Sequence, residues 1–136
     1  MSVIAAVDDL FFAARIRETA RQTGVAADVV PVARLEAAML KLVDEGGVEG
    51  AILDLGAASA VEALRALKSN ARTRAVPVVG FVSHVATEAI AAAREAGCDQ
   101  VFARSAFTRR LPEILQDLAR PPVGESEPQF RARERA

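Results

Sequence analysis

Val3-Ile4-Ala5-Ala6-Val7-Asp8-Asp9 lies near the start of the chain, and Ala51-Ile52-Leu53-Asp54 repeats its pattern near the middle. Each is a short apolar run closed by acid. Runs of this length and composition read as buried strands of a parallel sheet. With both strands in one sheet, three carboxylates converge at its carboxyl edge, where open α/β folds place their sites. Like charges a few ångströms apart disfavour joint ionisation and raise a pKa unless a cation or basic side chain compensates. The cluster therefore points to a hard-cation site, to an unusually basic carboxylate, or to both.

Working outward from these runs, strand-like and helix-like patterns alternate five times. The strands read as about Val3–Val7, Asp28–Val32, Gly50–Leu53, Val76–Val82 and Gln100–Ala103. Between and after them, apolar residues recur at helical spacing: Leu35, Met39, Leu42 and Val43; Val61, Leu64, Leu67 and Ala71; Phe107, Leu111, Ile114 and Leu115. Gly24 and Gly97 stand where helices end, and Ser59-Ala60-Val61-Glu62 reads as a capping box. Gly46-Gly47 marks a turn between helix and strand. Alternating strands and helices imply right-handed crossovers and a parallel sheet covered on both faces. The expected fold is α/β, a five-stranded parallel sheet flanked by helices on both faces.

The 136 residues suit one domain, and 51% hydrophobic content supplies one core. The pattern ends near Arg120, so residues 1–120 read as the domain and the Pro- and charge-rich 121–136 as a disordered tail. A net charge of −1 removes the long-range attraction of a dedicated nucleic-acid binder, and the absence of Trp and Tyr argues against a base-stacking platform. No apolar stretch approaches the roughly 18–20 residues of a membrane span. Cys98 stands alone and reads as a small core residue in a reducing compartment. With no secretory leader pattern, the expected location is cytoplasmic. His84 has no second metal-ligating residue at a suitable spacing and reads as a loop residue. No G-x-G-x-x-G or P-loop spacing exists. Arg65, Lys68, Arg72 and Arg74 read as a solvated helix face.

The order of elements and the placing of the acids resemble the receiver domain of two-component response regulators. Ala6-Val7-Asp8-Asp9, Ile52-Leu53-Asp54-Leu55, Val76-Pro77-Val78-Val79 and Gly97 to Arg104 carry the resemblance. It implies a flavodoxin-like (βα)5 fold with strand order 2-1-3-4-5. It further implies Asp54 as phosphoryl acceptor, and a Mg²⁺ site formed by Asp8, Asp9, Asp54 and the carbonyl of Gly56. That chemistry is coherent, because a carboxylate can attack phosphorus and Mg²⁺ neutralises the charge opposing it.

The departures from the family pattern fall on one side. Val82 stands where receivers carry a Ser or Thr, with Ser83 one place later. Val101 takes the aromatic switch position, and Arg104 replaces the phosphate-binding Lys. The loop after Asp54 is shortened to Leu55-Gly56-Ala57-Ala58. The implied function is a stand-alone, atypical receiver in signal transduction. It is not an enzyme and acts by binding a partner protein (a sensor kinase or a downstream effector) or by forming a homodimer. Two alternatives remain open at this point: a phosphorylation-independent scaffold, and a small Mg²⁺-dependent phosphoester enzyme. The planar guanidinium of Arg104 is expected to grip Asp54 or a neighbouring acid at rest.

Overall fold

A computed structural model describes residues 2–83 and 87–119. His84 and the 121–136 tail lie outside the described residues. The elements follow the alternating pattern: β1 (Ser2–Ala6), α1 (Leu10–Thr23), β2 (Ala27–Val30), α2 (Leu35–Glu45), β3 (Val48–Asp54), α3 (Ala60–Ser69), β4 (Val78–Val82), α4 (Thr87–Glu95), β5 (Gln100–Ala103) and α5 (Arg104–Ala119). All strand pairs are parallel, in the order β2-β1-β3-β4-β5.

Strand alternation splits the core into two layers. Ile4, Ala6, Ala51, Leu53, Val78 and Val82 pack against Leu35, Met39, Leu64 and Leu67 of α2 and α3. Val3, Ala5, Val7, Ile52, Val79 and Phe81 face the other way, onto Ile16 of α1 and Phe107, Leu111 and Leu115 of α5. The apolar stripe expected from Phe107 to Leu115 is buried along its whole length. It carries α5 through Pro112, whose ring removes one helical hydrogen bond but sits on the exposed side.

The ends of the elements show which local interactions decide their lengths. Gly24 closes α1 at φ 74°, its amide reaching Ala20 and Arg21 carbonyls. At Gly50 a Cβ would stand 2.5 Å from Leu118 Cδ2, so glycine lets α5 approach β3 closely. β2 stops at Val30, short of the expected Val32. Pro31 has no N–H for the ladder, and the Val32 amide donates to Asp8 Oδ1 at 3.0 Å. β4 begins two residues later than expected, because Pro77 likewise has no N–H and the Val76 carbonyl accepts from Lys68 Nζ at 2.9 Å.

Two expectations fail. Ser59 does occupy the N-cap of α3 but makes no side-chain cap bond. Its φ −104° and ψ 14° lie outside the extended region from which a serine reaches the next turn. Ala71 falls beyond α3 and is exposed; Asn70 turns the chain there, its Oδ1 accepting the Arg72 amide at 2.8 Å.

Candidate functional site

The register places β1 beside β3 (Ala6 with Leu53) and β3 beside β4 (Asp54 with Phe81). Asp8, Asp9 and Asp54 therefore leave the sheet at the same edge. Asp9 is the N-cap of α1, extended at φ −76° and ψ 119°, and its Oδ1 accepts the amides of Phe11 at 2.8 Å and Phe12 at 3.2 Å. Asp8 Oδ1 holds the Val32 amide, tying the end of β1 to the turn after β2. Asp54 is only 6% exposed, and its Oδ1 accepts the Gly56 amide at 3.0 Å.

Among the described residues no three Asp, Glu, His or Cys side chains form a set able to hold a metal. Each of the three acids gives its Oδ1 to a backbone amide. At Asp54 the contact made by Gly56 is through its N–H, whereas a metal ligand would be its carbonyl. The oxygens are of the right chemical kind for Mg²⁺ but are arranged as caps and turns.

Electrostatics single out Asp54. Burial pushes its carboxyl above the ordinary carboxylate range. The Gly56 amide and the Arg104 guanidinium pull it back, and the charges of Asp8 and Asp9 raise it again. This is the unusually basic carboxylate that the clustered acids suggested, with desolvation rather than repulsion as the leading cause.

Val82 is buried at the end of β4, and Ser83, one place on, is exposed. Val101 is half-buried among the α2–α4 layer. Arg104 opens α5, and its Nη1 stands 3.9 Å from Asp9 Oδ2, the acid it pairs with in place of Asp54. Its guanidinium lies 4.8 Å from the centroid of Phe12 and 6.0 Å from that of Phe81. Phe12, Phe81 and Phe107 form a stack, with centroids 4.9 Å apart for Phe12–Phe81 and 4.4 Å for Phe81–Phe107. Sequence reasoning missed this stack by looking for the ring on the last strand. Strand alternation carried the signal: Phe81 must point away from Val82, toward the layer that holds Phe107. Phe102 is covered by Arg110, 5.5 Å from its centroid.

Lys68 departs from its expected solvated role. Its Nζ donates to the carbonyls of Arg74 and Val76 and to Asp99 Oδ2 at 3.0 Å, and Asp99 also accepts the Val78 amide at 2.7 Å. It fastens α3 to the starts of β4 and β5. Arg72 pairs with Asp44. Cys98 is half-buried rather than fully enclosed, and burial pushes its thiol pKa up, so its thiolate is disfavoured.

No protein-family model and no curated protein matches the sequence. Solved structures do match the fold. The phosphorylated cyanobacterial phytochrome response regulator RcpA superposes with a TM-score of 0.70 at 18% identity, over 86% of this chain and 89% of that one. A response regulator of red-light signalling in R. palustris gives 0.69 at 14% identity, covering 95% and 99%. The receiver domain of a sensor histidine kinase from Pseudomonas aeruginosa, with magnesium coordinated in its active-site cleft, gives 0.69 at 15% identity, covering 87% and 96%. The fold of this chain is that of response-regulator receiver domains. Among the described residues no helix is long and apolar enough to cross a membrane.

Proposed function

We propose that this chain is a receiver-type signalling module that works through protein–protein contact, its resting conformation held by packing instead of being switched by phosphorylation. Its partner is a sensor kinase or a downstream effector protein. The observation that carries this reading is the engagement of Arg104. At the position of the family's phosphate-binding lysine, the cation is already committed to the Phe12 ring and to Asp9. Val82 has no hydroxyl to meet a phosphoryl group. Moving a two-state domain from mostly one state to mostly the other needs about 5 kcal/mol of differential binding. One charge-assisted hydrogen bond contributes about 1.5–3 kcal/mol. Arg104 alone falls short, and less remains once its present contacts are lost.

Asp54 keeps the position of an acceptor, and a raised pKa makes its carboxylate more basic at the cost of a larger protonated fraction. A Mg²⁺ ion would draw on Asp8, Asp9, Asp54 and the Gly56 carbonyl, each acid keeping a second carboxylate oxygen beyond the one that holds an amide. The test is incubation with a small phosphodonor and Mg²⁺, read by intact mass and amide exchange. The expected result is no modification, or modification of Asp54 with unchanged protection in β5 and α5. Stoichiometric modification accompanied by altered protection there overturns the reading.

A further inference from the structure

Among the described residues, two large apolar side chains are left in solvent, and they are neighbours. Leu10 is 84% and Phe11 88% exposed, on the first turn of α1. Adjacent exposed apolar groups at the mouth of a cleft mark an interaction surface more often than an accident of folding. The cleft beside them, about 330 Å³, is lined by Asp9, Phe11, Phe12, Arg15, Arg104 and Thr108. Arg15 lies one helical turn after Phe11, on the same face. Neither a hydrogen bond nor an ion pair involves it among the described residues. Arg104 lines the same cleft, its guanidinium resting on the Phe12 ring with Asp9 3.9 Å away.

This patch is complementary to itself. It holds a hole with two guanidinium groups on its wall, which attract the face of an aromatic ring. Immediately next to the hole stands a solvent-exposed ring, Phe11. It also holds Arg15, a cation without a partner among the described residues, and on the same wall the acid Asp9. We propose that the occupant is a second copy of this chain: Phe11 of each copy enters the other's cleft under Arg15 and Arg104, while each Arg15 approaches the other copy's Asp9. A reciprocal contact of this kind is isologous and closes at two. Arg and aromatic residues at the centre of such a contact are the types that carry interface energy. The proposal deepens the contact reading above by naming one partner. Its test uses no phosphodonor, so either reading can fail without the other.

The test is sedimentation of the full chain from about 1 µM to about 1 mM. The wild-type chain is expected to form a dimer and nothing larger, with a dissociation constant on the order of tens of micromolar, as suits a small contact with one aromatic anchor per copy. Phe11→Asp and, separately, Arg15→Glu should each weaken it at least about tenfold. Lys41→Glu on α2, across the sheet, should leave it unchanged. Both tested side chains are exposed, so melting temperatures should stay at the wild-type value; should one variant fail to fold, the other still decides. A wild-type chain that stays monomeric over the whole range overturns the proposal. So does association that grows past two copies, or that survives Phe11→Asp and Arg15→Glu.

Discussion

At the β1–β3 half of the carboxyl edge the side chains are acids, each bound to a backbone amide. At the β4–β5 half they are Val82, Val101 and an arginine laid over a stack of phenylalanine rings. The first half uses its carboxylates as a helix cap and as turn anchors. The second half is held by apolar and ring packing. The difference teaches that two halves of one sheet edge can be held by different means, hydrogen-bonded carboxylates on one side and ring packing on the other, and that the surrounding contacts reveal this where the residue types do not.

The largest effect should come from the packed half. Phe81→Ala removes the central ring of the stack, between Phe12 and Phe107, and should destabilise the fold by about 3–5 kcal/mol in denaturant unfolding. Asp8→Ala, on the acidic half, releases the Val32 amide from a part-buried hydrogen bond and should cost about 1 kcal/mol. Equal costs would break the contrast between a packed half and a capped one.

Placing a hydroxyl and an ammonium in the packed half sharpens the comparison. Val82→Thr with Arg104→Lys places a buried hydroxyl without an assured partner, and should cost about 1–3 kcal/mol of stability. In return it supplies two groups able to meet a phosphoryl oxygen, together about 3–6 kcal/mol of differential binding, which reaches what a switch requires. A phosphodonor with Mg²⁺ should then change amide protection in α5 of the double variant and leave the parent chain unchanged. A double variant as silent as its parent would place the block elsewhere, in the amide-bound acids.

The fold was legible in the sequence because strand and helix periodicities are global signals. Ile4 and Ala6 must face opposite to Val3 and Ala5, whatever the details of the turns. Boundaries were less legible, because single local contacts set them: the Val32 amide leaves the ladder for Asp8, and Lys68 captures the Val76 carbonyl. The site was half legible. The three acids do share an edge, but nothing in their spacing tells whether a carboxylate will face an ion or an amide. Arg104 could be assigned a search for an acid, but its place over the Phe12 ring, with Asp9 3.9 Å away, is set by packing that sequence spacing does not show.

A smaller effect should appear with pH at Asp54. Its folded pKa lies above the unfolded value, so folding takes up protons in the window between them. Stability therefore falls as pH rises through that window. Asp54→Asn keeps an oxygen for the Gly56 amide and removes the charge. It should raise the melting temperature at neutral pH, with the gain shrinking as pH drops toward the ordinary carboxylate range near about 4. A gain that grows on acidification would mean that Asp54 is stabilised as the anion, as in a working metal site, and would return the acidic half to that role.

The smallest effect expected is none, and it concerns what braces the packed half. α5 carries Arg104, Phe107, Leu111, Ile114, Leu115 and Leu118 onto the sheet, and those contacts end before residue 119. The segment 121–136 has Val123 and Phe130 as its only large apolar residues and no helical or strand period. It therefore offers little surface to bury against the ordering entropy of sixteen residues. A chain stopped after Arg120 should unfold within a degree or two of the full chain. For a domain of this size a loss of about 1 kcal/mol lowers the melting temperature by roughly 4 °C. A drop of that order would show that the packed half is held from outside as well as from within, by the tail lying on α5 or reaching a second copy. Repeating the melt at several protein concentrations separates those two, because only a contact between copies makes the difference concentration-dependent.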